Sequence, residues 1–143
     1  MSIVIEQVLG PAERGVRAVV DHAGERLTVS VAADLPLAIE SVGRLLNVEL
    51  GFEQVLGWRV LRDCPPAHHG LFEDPTEVGA VRVVGTVHHI LALEDGASIF
   101  DVYVQAGPEF LMFQSTDLAG RPPALRDAIE VIVRGPCFYP TWV

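Results

Sequence analysis

The chain has 143 residues, with ten arginines, no lysine and 19 acidic residues, giving a net charge of −9 with histidine neutral. Half of the residues are hydrophobic and the mean hydropathy is +0.35. Together these values exclude intrinsic disorder, which needs low hydrophobicity beside high charge, and a basic nucleic-acid footprint spread over the whole chain; no stretch approaches the ~18 consecutive apolar residues of a membrane helix.

The first residues, Met1-Ser2-Ile3-Val4-Ile5-Glu6, carry no positive start and place an acid where a signal peptide would be apolar, so a cytoplasmic address is expected. The use of arginine without lysine reads as the codon bias of a GC-rich bacterial genome. Alternating or continuous apolar runs bounded by Gly, Pro and Asp predict strands over 3–9, 16–21, 26–32, 45–50 and 54–61. Asp21-His22-Ala23-Gly24 is a hairpin turn, with Gly supplying a positive φ. A short helix is expected over 37–44. Residues 62–78 hold Cys64-Pro65-Pro66-Ala67-His68-His69-Gly70 and Glu73-Asp74-Pro75, the composition of a linker or long surface loop. Further strands follow over 80–93, 99–105, 109–114, 129–134 and 137–142. Gly85 marks a bend or bulge, Gln105-Ala106-Gly107-Pro108 a second hairpin turn, and 124–128 a second short helix. Neither helix is long enough to stand without tertiary support.

The two stretches of strands repeat at an offset of about 84 residues. Val20/Val104, Gly51/Gly135 and Trp58/Trp142 match at 84, and Ala23/Ala106, Gly24/Gly107 and Asp34/Asp117 at 83. These matches suggest an internal duplication: residues 1–61, a linker over 62–78, and residues 79–143. In each half the order is three strands, a short polar segment and two strands. That order resembles the OB-fold, a five-stranded Greek-key barrel. The fold class expected is therefore all-β, as two small OB-like barrel halves packed together, with a single β-sandwich or barrel built from both halves as the alternative. Mass scaling gives ~7,200 Å² of surface for one globule and ~8,700 Å² for two separate halves. A chain this apolar should cover the difference by packing its halves together or by dimerising.

Two cysteines are too few for a disulfide scaffold, and both read as small buried hydrophobes in a reducing compartment. Cys64, His68 and His69 supply the thiolate and imidazole ligands zinc prefers, with Glu73 and Asp74 nearby, so a metal-dependent enzyme is one reading. No second pair of ligands stands at metal-binding spacing, however. His88 and His89 should point to opposite faces of their strand, one partly buried and one exposed. In OB-folds the second and third strands form the usual ligand face, where aromatic rings stack bases. The resemblance puts Phe100, Tyr103, Phe110 and Phe113 there. Phe100 alternates into the core, whereas Tyr103 is the plausible exposed platform, joined by Phe113 and by the downstream cations Arg121 and Arg126. A net charge of −9 repels a phosphate backbone, which disfavours single-stranded nucleic acid as the partner.

Signatures of nucleophilic, phosphate-handling and metalloprotease enzymes are missing. Acids such as Glu49, Asp101 and Glu130 fall at alternating strand positions, the pattern of a solvated sheet face. The aromatic C-terminus, with Tyr139 and Trp142, and the equivalent Trp58 either dock as strands or form an apolar patch for a partner. The reading that follows is a non-catalytic module with no cofactor, binding a protein partner (adaptor or immunity-like) or a second copy of itself, with a single-stranded nucleic-acid-binding OB protein working through Tyr103 and the loop arginines as the alternative beside the metal-dependent enzyme.

Overall fold

The computed structural model describes residues 1–104 and 110–141, and among these the chain is almost entirely β-structure. The strands are β1 (Ser2–Pro11), β2 (Val16–His22), β3 (Glu25–Val31), β4 (Leu45–Gly51), β5 (Gln54–Leu61), β6 (Gly70–Glu73), β7 (Ala80–Ala92), β8 (Ser98–Tyr103), β9 (Phe110–Gln114), β10 (Ala128–Arg134) and β11 (Cys137–Pro140). Among the described residues one α-helix, α1 (Leu35–Glu40), joins β3 to β4, and a 3₁₀ turn spans Pro66–His68. Two sheets result. The first is a closed barrel in the order β1-β2-β3-β11-β4; the second runs β5-β10-β7-β8-β9, with β6 added to β7. The all-β, barrel-like architecture is the one the strand patterns imply.

Sheet membership cuts across the 1–61 and 79–143 division. β5 pairs along its length with β10, from Gln54 opposite Arg134 to Leu61 opposite Ala128. β11 leaves in the other direction, running antiparallel to β4 (Phe138 opposite Leu50) and parallel to β3 (Phe138 opposite Val31). Each half thus lends its last strand to the other's sheet. The crossing segments touch, since the Glu53 N–H donates to the Arg134 carbonyl at 2.9 Å. Glycine makes this crossing possible. A Cβ on Gly51 would lie 2.8 Å from the Tyr139 ring, and one on Gly135, whose φ is +64°, would lie 2.5 Å from the Glu53 side chain.

The remaining pairings of the two halves correspond. In the first hairpin Ile5 faces Val20 and a bulge falls between Ile5 and Gln7; in the second Val87 faces Val102 and a bulge falls between Val87 and His89. The register makes Val102, not Val104, the counterpart of Val20. Closure differs, however. β11 seals the first barrel by pairing with β3, whereas among the described residues β5 has no pairing with β9. Side chains bridge that gap instead: Phe52 stacks on Phe113 with ring centroids 5.4 Å apart, and the Trp58 indole N–H donates to the Ala119 carbonyl at 3.0 Å.

Local chemistry accounts for the smaller departures. Ala23 (φ 53°) and Gly24 (φ 89°) make the expected β2–β3 turn, with the Gly24 N–H held by the Asp21 carboxylate at 3.1 Å. α1 starts two residues earlier than expected because Asp34 caps it, accepting from the Leu37 N–H at 2.9 Å. It stops at Glu40, and Gly43 (φ +81°) turns the chain so that its N–H reaches the Ile5 carbonyl. Residues 124–128 form no helix. The Asp127 carboxylate takes the Ala124 N–H in a turn, and Arg126 sits at φ 72°. The expected linker contains the unforeseen β6, whose Glu73 carboxylate accepts the Thr28 N–H of β3 at 2.6 Å and so ties the two sheets together.

One buried cluster spans both sheets, from Ile3, Val20 and Leu27 to Phe113, Ile129 and Phe138. The accessible surface, 8309 Å², lies between the ~7,200 Å² of one globule and the ~8,700 Å² of two separate halves. Among the described residues no helix is long and apolar enough to cross a membrane.

Candidate functional site

Two surfaces of the second sheet gather the chemistry. The first is the outer face of β7, β8 and β9. Strand alternation sends Phe100, Val102, Leu111 and Phe113 into the core and leaves Ile99, Asp101, Tyr103, Met112 and Gln114 facing out. The bulge between Val87 and His89 interrupts that alternation in β7, placing two residues against one on β8. Both histidines are therefore exposed, which corrects the expected one-in, one-out arrangement. The His88 ring stacks on Tyr103 with centroids 4.0 Å apart and planes 13° apart, and His89 Nδ1 lies 3.5 Å from an Asp101 carboxylate oxygen. Met112, opposite Asp101, is 62% exposed, and Leu91, two residues beyond His89, is 49% exposed. Glu94 and Asp95, in the turn between β7 and β8, put acid at the rim.

The second surface is a cleft of about 520 Å³ where the segment after β5 folds over the outer side of β5, β10 and β7. Its floor is Glu130. This acid sits directly opposite Arg59 in the β5–β10 register and diagonal to Arg82 on β7. Arg59 Nε lies 3.1 Å from Oε1 and Arg82 Nη1 3.3 Å from Oε2, with the Glu130 side chain only 10% exposed. Glu130 was expected on a solvated face. It is buried because β10 lies between β5 and β7 in the sheet and the chain over 62–72 covers its outer side. A buried carboxylate is tolerated when its charge and lone pairs are met, and two guanidinium groups meet them here. Arg82 also lies over the Phe72 ring, 5.4 Å from its centroid, and its Nε is buried without a hydrogen-bond partner.

The residues singled out from sequence separate. Tyr103 lies on the outer face as expected. Phe113 does not: it is 0% exposed, because the same alternation that turns Met112 out turns Phe113 in. Trp58 is half-buried against the core and Tyr139 half-buried with its hydroxyl accepting from Arg14 Nη1 at 3.1 Å. Arg121 and Arg126 are exposed in the segment between β9 and β10. Trp142, and the expected turn over 105–108, lie outside the described residues.

Cys64 and His68 line the cleft, whereas His69 turns toward Thr86, 3.5 Å from its hydroxyl. Among the described residues no three His, Cys, Asp or Glu side chains stand where they could hold a metal ion, which corrects the zinc reading of Cys64, His68 and His69. Both cysteines are free, but only Cys137 is buried; Cys64 is half-exposed, contrary to expectation.

Burial holds the His69 imidazolium below its ordinary range, with His68 adding to the effect and a hydrogen bond to the Cys64 backbone opposing it. A lowered native value means that the unfolded chain binds the proton more readily. The contribution to stability is then present above the unfolded value of ~6.5 and is lost as pH falls below it. Urea midpoints should drop more for the wild type than for His69→Gln between about pH 7.5 and about pH 5.5. Equal drops would mean that His69 titrates as it does in the unfolded chain.

Comparison with known proteins finds no matching family model, no matching curated protein and no matching solved structure. The fold and its two surfaces are therefore what a functional reading rests on.

Proposed function

We propose that this chain is a non-catalytic binding module of the bacterial cytoplasm that docks a protein partner on the outer face of β7, β8 and β9. The observation that carries the reading is the composition of that face. Met112, Leu91 and the Tyr103–His88 stack form an apolar and aromatic centre around the Asp101 carboxylate, and Glu94 and Asp95 form an acidic rim. Protein interfaces concentrate aromatic residues and methionine at the centre and polar groups around it. The rim and the net charge of −9 favour a basic partner, whose approach long-range attraction accelerates. The free cysteines suit a reducing compartment.

The same face argues against single-stranded nucleic acid. One side of Tyr103 is taken by His88, and the neighbouring outward side chain on β8 is the carboxylate of Asp101. The test is affinity capture from the source cells with the wild type, Met112→Glu and, as a surface control, Ile39→Glu. Capture of one partner, lost with Met112→Glu and kept with Ile39→Glu, is the expected result. Capture that survives Met112→Glu, or tight single-stranded DNA binding at ~150 mM salt, would overturn the reading.

A further inference from the structure

From the cleft over Glu130 we infer a second site, for a small oxyanion on an apolar body such as an aromatic carboxylate. Three observations converge. Two arginines share one carboxylate, so the floor keeps one positive charge in a chain of net charge −9. The guanidinium groups are not saturated by the protein: Arg59 is 68% exposed, Arg82 is 36% exposed, and the buried Nε of Arg82 has no acceptor. That Nε is sealed from solvent, so the hydrogen-bonding capacity a ligand can reach lies on the exposed parts of the two guanidinium groups.

The third observation is the wall. Leu61, Ala67, Phe72 and Val84 surround the arginines in a cleft of about 520 Å³, a volume in the ~300–1,000 Å³ range of small-molecule sites. Apolar walls around a few convergent polar groups select a ligand with both characters. A single net charge on the floor matches a carboxylate better than a phosphate dianion. Glu25 stands exposed at the mouth, where water screens it, and His68 lies beside it. Arg59 and Arg82 hold the oxyanion through their outward N–H groups while Glu130 fixes their planes.

This site is separate from the β7–β8–β9 face, so its test is independent of the partner reading. The arginine Nε–H signals of the full chain are followed by NMR during titration with benzoate, inorganic phosphate and benzyl alcohol. Benzoate is expected to move the Arg59 and Arg82 signals saturably, while benzyl alcohol does not. Arg59→Gln should weaken benzoate roughly tenfold, the loss of one charge-assisted contact, and it leaves Arg82 paired with Glu130 so that the fold is kept. Met112→Glu should leave benzoate binding unchanged. Unmoved arginine signals at tens of millimolar benzoate, equal binding of benzyl alcohol, or tighter binding of phosphate than of benzoate would each overturn the inference.

Discussion

Truncating Phe138 to alanine is expected to destabilise the chain by about 3–5 kcal/mol, the range for removing a buried aromatic ring from a core. Phe138 is 0% exposed and sits between Leu50 and Val31, in the strand that closes the first barrel. A loss of that size takes a large share of the ~5–15 kcal/mol that holds a domain together. The location of the damage is the sharper test. β11 follows β10 in the chain yet pairs with β3 and β4, so faster amide exchange should appear in β3 and β4 rather than in β10. Urea unfolding gives the magnitude and hydrogen exchange the place. Protection lost mainly from β10 would contradict the observed pairing.

Gly85→Ala is expected to be comparably severe, at about 3 kcal/mol or more, above the usual ~1–3 kcal/mol for overpacking because the obstacle is backbone. A Cβ at this position would lie 2.2 Å from the Tyr103 carbonyl oxygen and 2.8 Å from Val102 Cγ1. Gly85 is the residue before β7 takes up β8, at Thr86 opposite Tyr103, while β7 is still paired with β10 at Ile129. Only a residue without a side chain lets the β8 backbone pass so close. The variant should lower the thermal midpoint and alter the near-ultraviolet signal of the Tyr103–His88 stack. Gly57→Ala, where nothing lies within 4 Å of the added atom, serves as the control. Equal effects of the two substitutions would show that close approach at Gly85 is not the cause.

The strands were legible in the sequence because each is a short apolar run closed by a turn residue, a signal carried within a few positions. Gly85 reads from sequence as a bend or bulge, but the bulge falls between Val87 and His89, and glycine is needed at 85 because the β8 backbone passes close to it. Strand exchange was not legible: it depends on which runs meet, and β5 pairs with β10 across 67 to 80 positions. That distance also hid the candidate sites. Glu130 reads as one more alternating acid until the register puts Arg59 opposite it. A lone acid inside the apolar run Ile129–Val133, in a strand that ends up central, was the available clue. Plain alternation puts His88 and His89 on opposite faces, but a bulge shifts alternation by one without any composition change, and Phe113 reads as a platform only because an aromatic residue alone does not reveal its face. The zinc reading of Cys64, His68 and His69 failed on geometry, since ligand types adjacent in sequence need not converge.

The exchange of β5 and β11 bears on how the molecule is made. As the chain emerges from the ribosome, β1 to β4 can assemble early, but the gap between β3 and β4 stays open until residue 140 is released. The first barrel is therefore completed only after the strands of the second sheet have been made, and the usual sequence of one finished unit after another does not apply. Until then β3 and β4 present bare edges, the surfaces most prone to pair with the wrong neighbour. The acids Glu25 and Glu49 on those strands add like charge between nascent chains, which discourages that mispairing.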